Sequence, residues 1–288
     1  MCGIGDARNL WETLTSIVVP DMESLMNENL PKELHFTLID LKPAALARIL
    51  VMLRLMSQLP KGLKGQETSN LTWTIAYLFV GHVVPPFVHA TLSKTILNLI
   101  DILERDSPKS AFLKWVIMSE DTRAQVLQHL RLWSEPLDDL YRPENIRKTT
   151  QAAMRDQGMR RMLNGLMDID PPTPAAFEED EAIFDEFTIT PPPEAFVRLH
   201  EPQLAPILEQ MRSKKQATRE QAGRKLDDHI NKHWRTNVTM IDLMWQTKKE
   251  RNSEDGLLLD ATGRGWRARS RQLERFHLEN GLLDEASW

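Results

Sequence analysis

Residues 44 to 59 are expected to form a helix apolar on nearly every face. Pro43 suits a first helical position, and Ala44 through Leu59 is apolar all round except for Arg48, Arg54, Ser57 and Gln58. A helix apolar on every side is stable only in the middle of a protein, so the remaining chain has to surround it. With 288 residues, 41% of them apolar, there is enough chain to do so.

Its flanks are read in order. Asp6 is placed to cap a helix carrying Leu10, Trp11, Leu14, Ile17 and Val18 at helical spacing. Leu34, Phe36 and Leu38 then alternate with His35, Thr37 and Ile39, which predicts a strand ending near Asp40. Glycine turn, helix, strand, acid, helix is the connectivity of half a nucleotide-binding α/β unit. Only Met1 and Cys2 precede Gly3, where about five apolar residues are needed for a first strand. That strand is expected to be missing, and Val238 to Leu243 is one segment able to take its place.

Asn70 to Ser93 holds no formal charge and is long enough to cross a bilayer. Gly81, Pro85 and Pro86 interrupt it, and His82, His89 and three threonines would lie at hydrocarbon depth. Two core helices joined at Val83 to Pro86 explain it better, the second running from Phe87 to Leu103, and no membrane association is expected. Ser107-Pro108 opens an amphipathic region to about Trp133, with Leu113, Val116, Ile117, Val126, Leu127 and Leu130 as core positions. Pro143 to Met167 reads as helical, as does Glu201 to Trp234. Val238 to Trp245 looks more like a strand.

Charge is distributed unevenly. Asp168 to Glu209 carries eleven acids against one base, Arg198, or −10; Arg212 to Arg275 carries sixteen bases against nine acids, or +7. Mutual attraction within the chain is the favoured reading, ahead of an external partner for either segment. Prolines bracket an acidic linker in which Phe177, Ile183, Phe184 and Phe187 alternate with acids. This gives three regions: 1–167, Rossmann-like and helical; 168–200, an acidic Pro-rich linker; and 201–288, a mixed helical, basic C-terminal region. One cysteine, Cys2, excludes an internal disulfide framework and points to the cytosol or nucleus.

Gly3-Ile-Gly-Asp-Ala-Arg-Asn-Leu, Leu34-His-Phe-Thr-Leu-Ile-Asp and Ala45-Leu-Ala-Arg-Ile-Leu, in that order, resemble a known family. It is the domain of unknown function, the 4470 family, found in fungal proteins that often carry a MYND zinc finger and in the N-terminal part of axonemal dynein preassembly factors. The resemblance covers roughly the first hundred residues. It implies a helix-rich α/β fold similar to the Rossmann-like methyltransferases, with Gly3, Gly5 and Asp6 matching the family's glycine-acid turn and Asp40 the acid ending its second strand. It supplies no catalytic residue, and the chain lacks the cysteines of a MYND finger.

Gly3, Gly5, Asp6 and Asp40 are the candidate cofactor-binding residues. Glycine admits the ligand to the backbone, helix N–H groups point at it, and a later carboxylate holds ribose hydroxyls. Against this, Asp6 is followed by Ala7 and Arg8 rather than a third glycine, and Asp40 lies 35 residues after Gly5, where the dinucleotide pattern has about 20. His229 and His233 share a helix face at metal-ligand spacing, but Ile230 stands where a metalloprotease has glutamate, and both are expected to face solvent. His82 and His89 are expected to be hydrogen-bonded core histidines. Four arginines around Trp266, between Arg264 and Arg271, form a candidate phosphate-binding segment, tempered by neighbouring acids. The sequence therefore predicts a non-catalytic interaction or scaffold protein with a protein partner, no metal and no cofactor. The alternative is an S-adenosylmethionine-dependent methyltransferase, and nucleic-acid binding is weaker still.

Overall fold

The structure, a computed structural model, describes residues 37–38, 42–59, 65–105, 116–152, 178–213 and 215–244. It is helix-rich. α1 (Pro43–Met56) is central, with nine of its residues buried, and it packs on α2 (Gln66–Val80), α3 (Pro86–Glu104), α4 (Glu120–Ser134) and the short turn at Val238–Met240. Ala44, Ala45 and Ala47 keep its first turn thin enough for close approach, while Leu50, Val51 and Leu55 fill the core. Burying each such aliphatic side chain contributes about 1.5–3 kcal/mol.

The uncharged stretch is divided as its glycine and prolines suggest. α2 ends at Val80, β1 (Val83–Val84) follows, and Pro86 opens α3, which buries Val88, Leu92, Ile96, Leu99 and Leu103 along one face. At Gly81 a Cβ would lie 3.0 Å from the carbonyl oxygens of Tyr77 and Val83, so glycine allows the chain to leave the helix there. Among the described residues no helix is long and apolar enough to cross a membrane.

α4 starts later than predicted. The Ser119 hydroxyl accepts the Thr122 N–H at 3.2 Å, and Glu120 and Asp121 occupy the first turn, so the helix begins at its cap. Ile117, expected in the core, is 97% exposed, whereas Val126 and Leu130 are buried. Leu113 lies outside the described residues.

Residues 178–200, the described part of the acidic segment, form α5 (Glu178–Phe187) and α6 (Glu194–His200). Ile183, Phe187, Ile189 and Val197 join the main core, and Phe184 packs with Met52, Phe79 and Val80. α7 (Ala205–Met211) and α8 (Gln216–His233) follow and pack together. Between α5 and α8, Gly223 faces the Phe187 ring, where a Cβ would meet Cζ at 3.0 Å.

Of the predicted strand at 34–40 only Thr37 and Leu38 are described, and neither is in a strand. Val238 to Leu243, the candidate replacement strand, holds a 3₁₀ turn instead. The Asn237 side chain sets it by accepting the Thr239 N–H at 3.2 Å and the Thr239 hydroxyl at 2.7 Å, a local bond that competes with extended pairing. The sheet of the described residues is β1 against β2 (Arg235–Thr236), antiparallel, with Val83 opposite Thr236 and Val84 opposite Arg235.

Gly223→Leu is expected to destabilise the protein by about 1–3 kcal/mol through overpacking against Phe187. Gly223→Ala should cost less, since alanine returns about 1 kcal/mol of helix propensity. Urea unfolding of both variants checks the order.

Candidate functional site

Three histidines surround one buried carboxylate where α6, α8 and the first turn of α3 meet. Glu201 follows α6, its N–H donating to Val197 O at 2.9 Å, and its side chain is buried. Glu201 Oε2 lies 2.8 Å from His229 Nε2 and accepts the Trp234 indole N–H at 3.1 Å. Oε1 is buried and accepts no hydrogen bond. An ionised carboxylate only accepts, so His229 carries its proton on Nε2 toward the acid.

The other two histidines lie further out. His233 is exposed, its ring centre 4.7 Å from that of His229. Partial burial and then the nearby His229, Lys232 and Arg235 hold it below the ordinary histidine value, against the pull of Glu201. His200 stacks on Phe87 with centres 4.4 Å apart, its Nε2 is 3.1 Å from Asn70 Oδ1, and burial lowers it. Tyr77 lies under this group, edge-on to Trp234, and donates its hydroxyl to Thr190 O at 2.8 Å. Burial, then Glu201 and Asp180, push that hydroxyl far above its ordinary value, which keeps it a neutral donor.

Two further polar groups tie the C-terminal segment to the helices. His129 Nε2 lies 3.2 Å from Asp242 Oδ1, and its Nδ1 is 3.0 Å from Gln125 O. A carbonyl only accepts, so Nδ1–H makes that bond and contact with Asp242 requires a second proton, on Nε2 or on the carboxyl. Beside it, Trp133 donates to Ile241 O at 3.0 Å. Arg147, also buried, reaches Phe187 O at 2.8 Å, Asn231 Oδ1 at 2.9 Å and Asp227 Oδ1 at 2.7 Å.

The Glu201–His229 pair has the carboxylate–imidazole arrangement that orients a catalytic base. Such a base needs a nucleophile on its free nitrogen. Among the described residues no hydroxyl or thiol bonds to His229, and no three histidine, cysteine, aspartate or glutamate side chains converge to hold a metal ion. What the arrangement does is join elements distant in sequence.

Of the residues singled out from sequence, Gly3, Gly5, Asp6, Asp40 and Arg264 to Arg271 lie outside the described residues. His229, expected in solvent, is 8% exposed because Glu201 and Trp234 enclose it, whereas His233 is exposed as expected. His82 is buried; His89 is half-buried in the first turn of α3, lowered by burial and then by Arg235. Sequence reasoning passed over Glu201, Asn237 and Asp242, single polar residues without motif spacing.

The motif Ala45-Leu-Ala-Arg-Ile-Leu does have a described place. Its Arg48 is wholly buried and donates to Leu78 O at 2.8 Å and Phe79 O at 3.2 Å, the carbonyls at the end of α2. The arginine of this motif closes a neighbouring helix. Residues 1–80 match a domain of unknown function, DUF4470. No curated protein and no solved structure matches the chain. The DUF4470 segment ends where α2 ends, yet it does not close its own core: Asn237 caps α2, Thr190 O receives Tyr77, and Phe184 packs on Met52.

A chain truncated after residue 80 is accordingly expected to lack a cooperative thermal transition by circular dichroism. Glu201→Ala, which strands the His229 and Trp234 N–H groups, should cost the full protein about 3–5 kcal/mol in chemical denaturation.

Proposed function

We propose that this chain is a non-catalytic protein-interaction or scaffold protein whose N-terminal portion is a degenerate relative of the Rossmann-like methyltransferases. The observation carrying this reading is how the buried polar groups are used. Arg48, Arg147, Glu201, Asn237 and Asp242 each bond across elements. Catalytic centres arrange such groups around a place for substrate, with a nucleophile or base presented to it; here they act as joints. The Rossmann-like part rests on the glycine turn, the predicted strand ending at Asp40 and the DUF4470 match.

The alternative, an S-adenosylmethionine-dependent methyltransferase using Gly3, Gly5, Asp6 and Asp40, makes a separable prediction. Calorimetric titration of S-adenosylmethionine into the full chain is expected to give no binding at millimolar ligand. Saturable binding abolished by Asp40→Ala would replace the scaffold reading with the enzyme. Affinity capture with the full chain, followed by size-exclusion chromatography of the purified pair, tests the scaffold reading directly: a stable complex is expected, and an inert monomer throughout would overturn it.

A further inference from the structure

Beside the C-terminal end of α8 stands a fork of hydrogen-bond donors that no described residue uses on its outer edge. Arg235, the residue opposite Val84 in the β1–β2 pair, anchors one nitrogen on backbone: Nη1 donates to Trp234 O at 2.9 Å, Lys232 O at 3.3 Å and His233 O at 3.4 Å. Among the described residues its Nε and Nη2 make no hydrogen bond, and its side chain is exposed. A guanidinium held by one corner, with the opposite Nε–Nη2 edge open, is organised in advance for two-point binding of an oxyanion.

The surroundings favour negative charge in a ligand. Lys232 and His233 are exposed, and neither they nor Arg235 is ion-paired with a carboxylate among the described residues. His89 faces Arg235 from the first turn of α3, which contains no acid. Glu201, the acid within reach of His233, is buried and engaged with His229 and Trp234. Asp228, one turn back on α8, is exposed and makes no ion pair with Lys232.

We propose that Arg235, with Lys232 and His233 beside it and His89 across from it, is a docking patch for the carboxylates of an acidic peptide segment in a partner protein. The inference deepens the scaffold reading and rests on it. A peptide fits better than a nucleic acid. A phosphate backbone is held by a row of basic groups, whereas along α8 the bases are broken by Glu220, Asp227 and Asp228.

The test is fluorescence anisotropy of a labelled synthetic peptide of alternating glutamate and phenylalanine, titrated with the full chain at low and high salt. Saturable binding weakened by salt is expected, with Arg235→Ala and Lys232→Glu each reducing affinity about tenfold or more. Arg235→Lys should fail to rescue, because an ammonium keeps the charge and loses the fork. Thermal melts establish that the variants are folded, and Lys232, whose side chain makes no bond among the described residues, gives a variant independent of the helix end. Absence of binding at low salt, equal binding by folded Arg235→Ala and Lys232→Glu, or tighter binding of a single-stranded RNA oligonucleotide than of the peptide would each overturn the patch. A captured partner that stays bound to both variants would overturn the patch and leave the scaffold reading standing.

Discussion

The C-terminal end of α2 is finished by residues that do not belong to it, and the rest of the architecture follows from that. A helix ends with carbonyls that have no partner within the helix and with the negative end of its dipole. Here Arg48 from α1 donates to Leu78 O and Phe79 O, and Asn237 Nδ2 donates to Leu78 O at 3.2 Å and to Gly81 O at 2.8 Å. The Asn237 N–H adds a bond to His82 O at 2.9 Å, which continues the β1–β2 pairing by one residue. Because Arg48 is wholly buried, its charge is tolerable only where such carbonyls receive it. The mostly apolar α1, the α2 end whose carbonyls it caps and the irregular segment after α8 are thus mutually required.

The described part of the acidic segment is joined to the rest of the protein at several points: Glu186 pairs with Arg219 at 3.5 Å, Gln151 reaches Glu186 O at 2.6 Å, and the Arg147 guanidinium links Phe187 O to Asp227. The Glu186–Arg219 contact is exposed and contributes little alone. Arg147 is different, since it is buried and bonds the backbone where α5 ends. There Thr188 adopts φ 54, a left-handed conformation costly for a β-branched residue, held by its N–H on Phe184 O at 2.7 Å and its hydroxyl on Phe187 O at 2.7 Å.

What was legible in the sequence was whatever one helix decides for itself. α1 could be read from Pro43 and its almost unbroken apolar run, α3 from the spacing of its apolar residues, and the break between α2 and α3 from Gly81, Pro85 and Pro86. The start of α4 was misread because apolar spacing ran on through Ile117 while the Ser119 cap ended the matter locally. Val238 to Leu243 was misread because an apolar run suggests a strand, whereas one asparagine side chain turned it. His229 was misread for a third reason: the spacing to His233 drew attention away from the buried face it shares with Ala222 and Leu226, where an acid 28 residues upstream and Trp234 enclose it. Glu201 is one acid among eleven in its region, and its importance exists only after α6, α8 and α3 have met.

The capping of α2 by Asn237 spans 159 positions at Leu78 and 156 at Gly81. A ribosome makes the chain from the N-terminus, so α1 and α2 emerge long before the residue that completes them. Throughout that interval the central helix α1 has an unfinished neighbour and an incomplete enclosure. Contacts this distant also slow folding, since the connecting chain must be ordered before they form. The nascent protein therefore passes through a long stage in which its core helix is exposed to whatever holds unfolded chains in solution, and its final assembly waits on a residue 159 positions after Leu78.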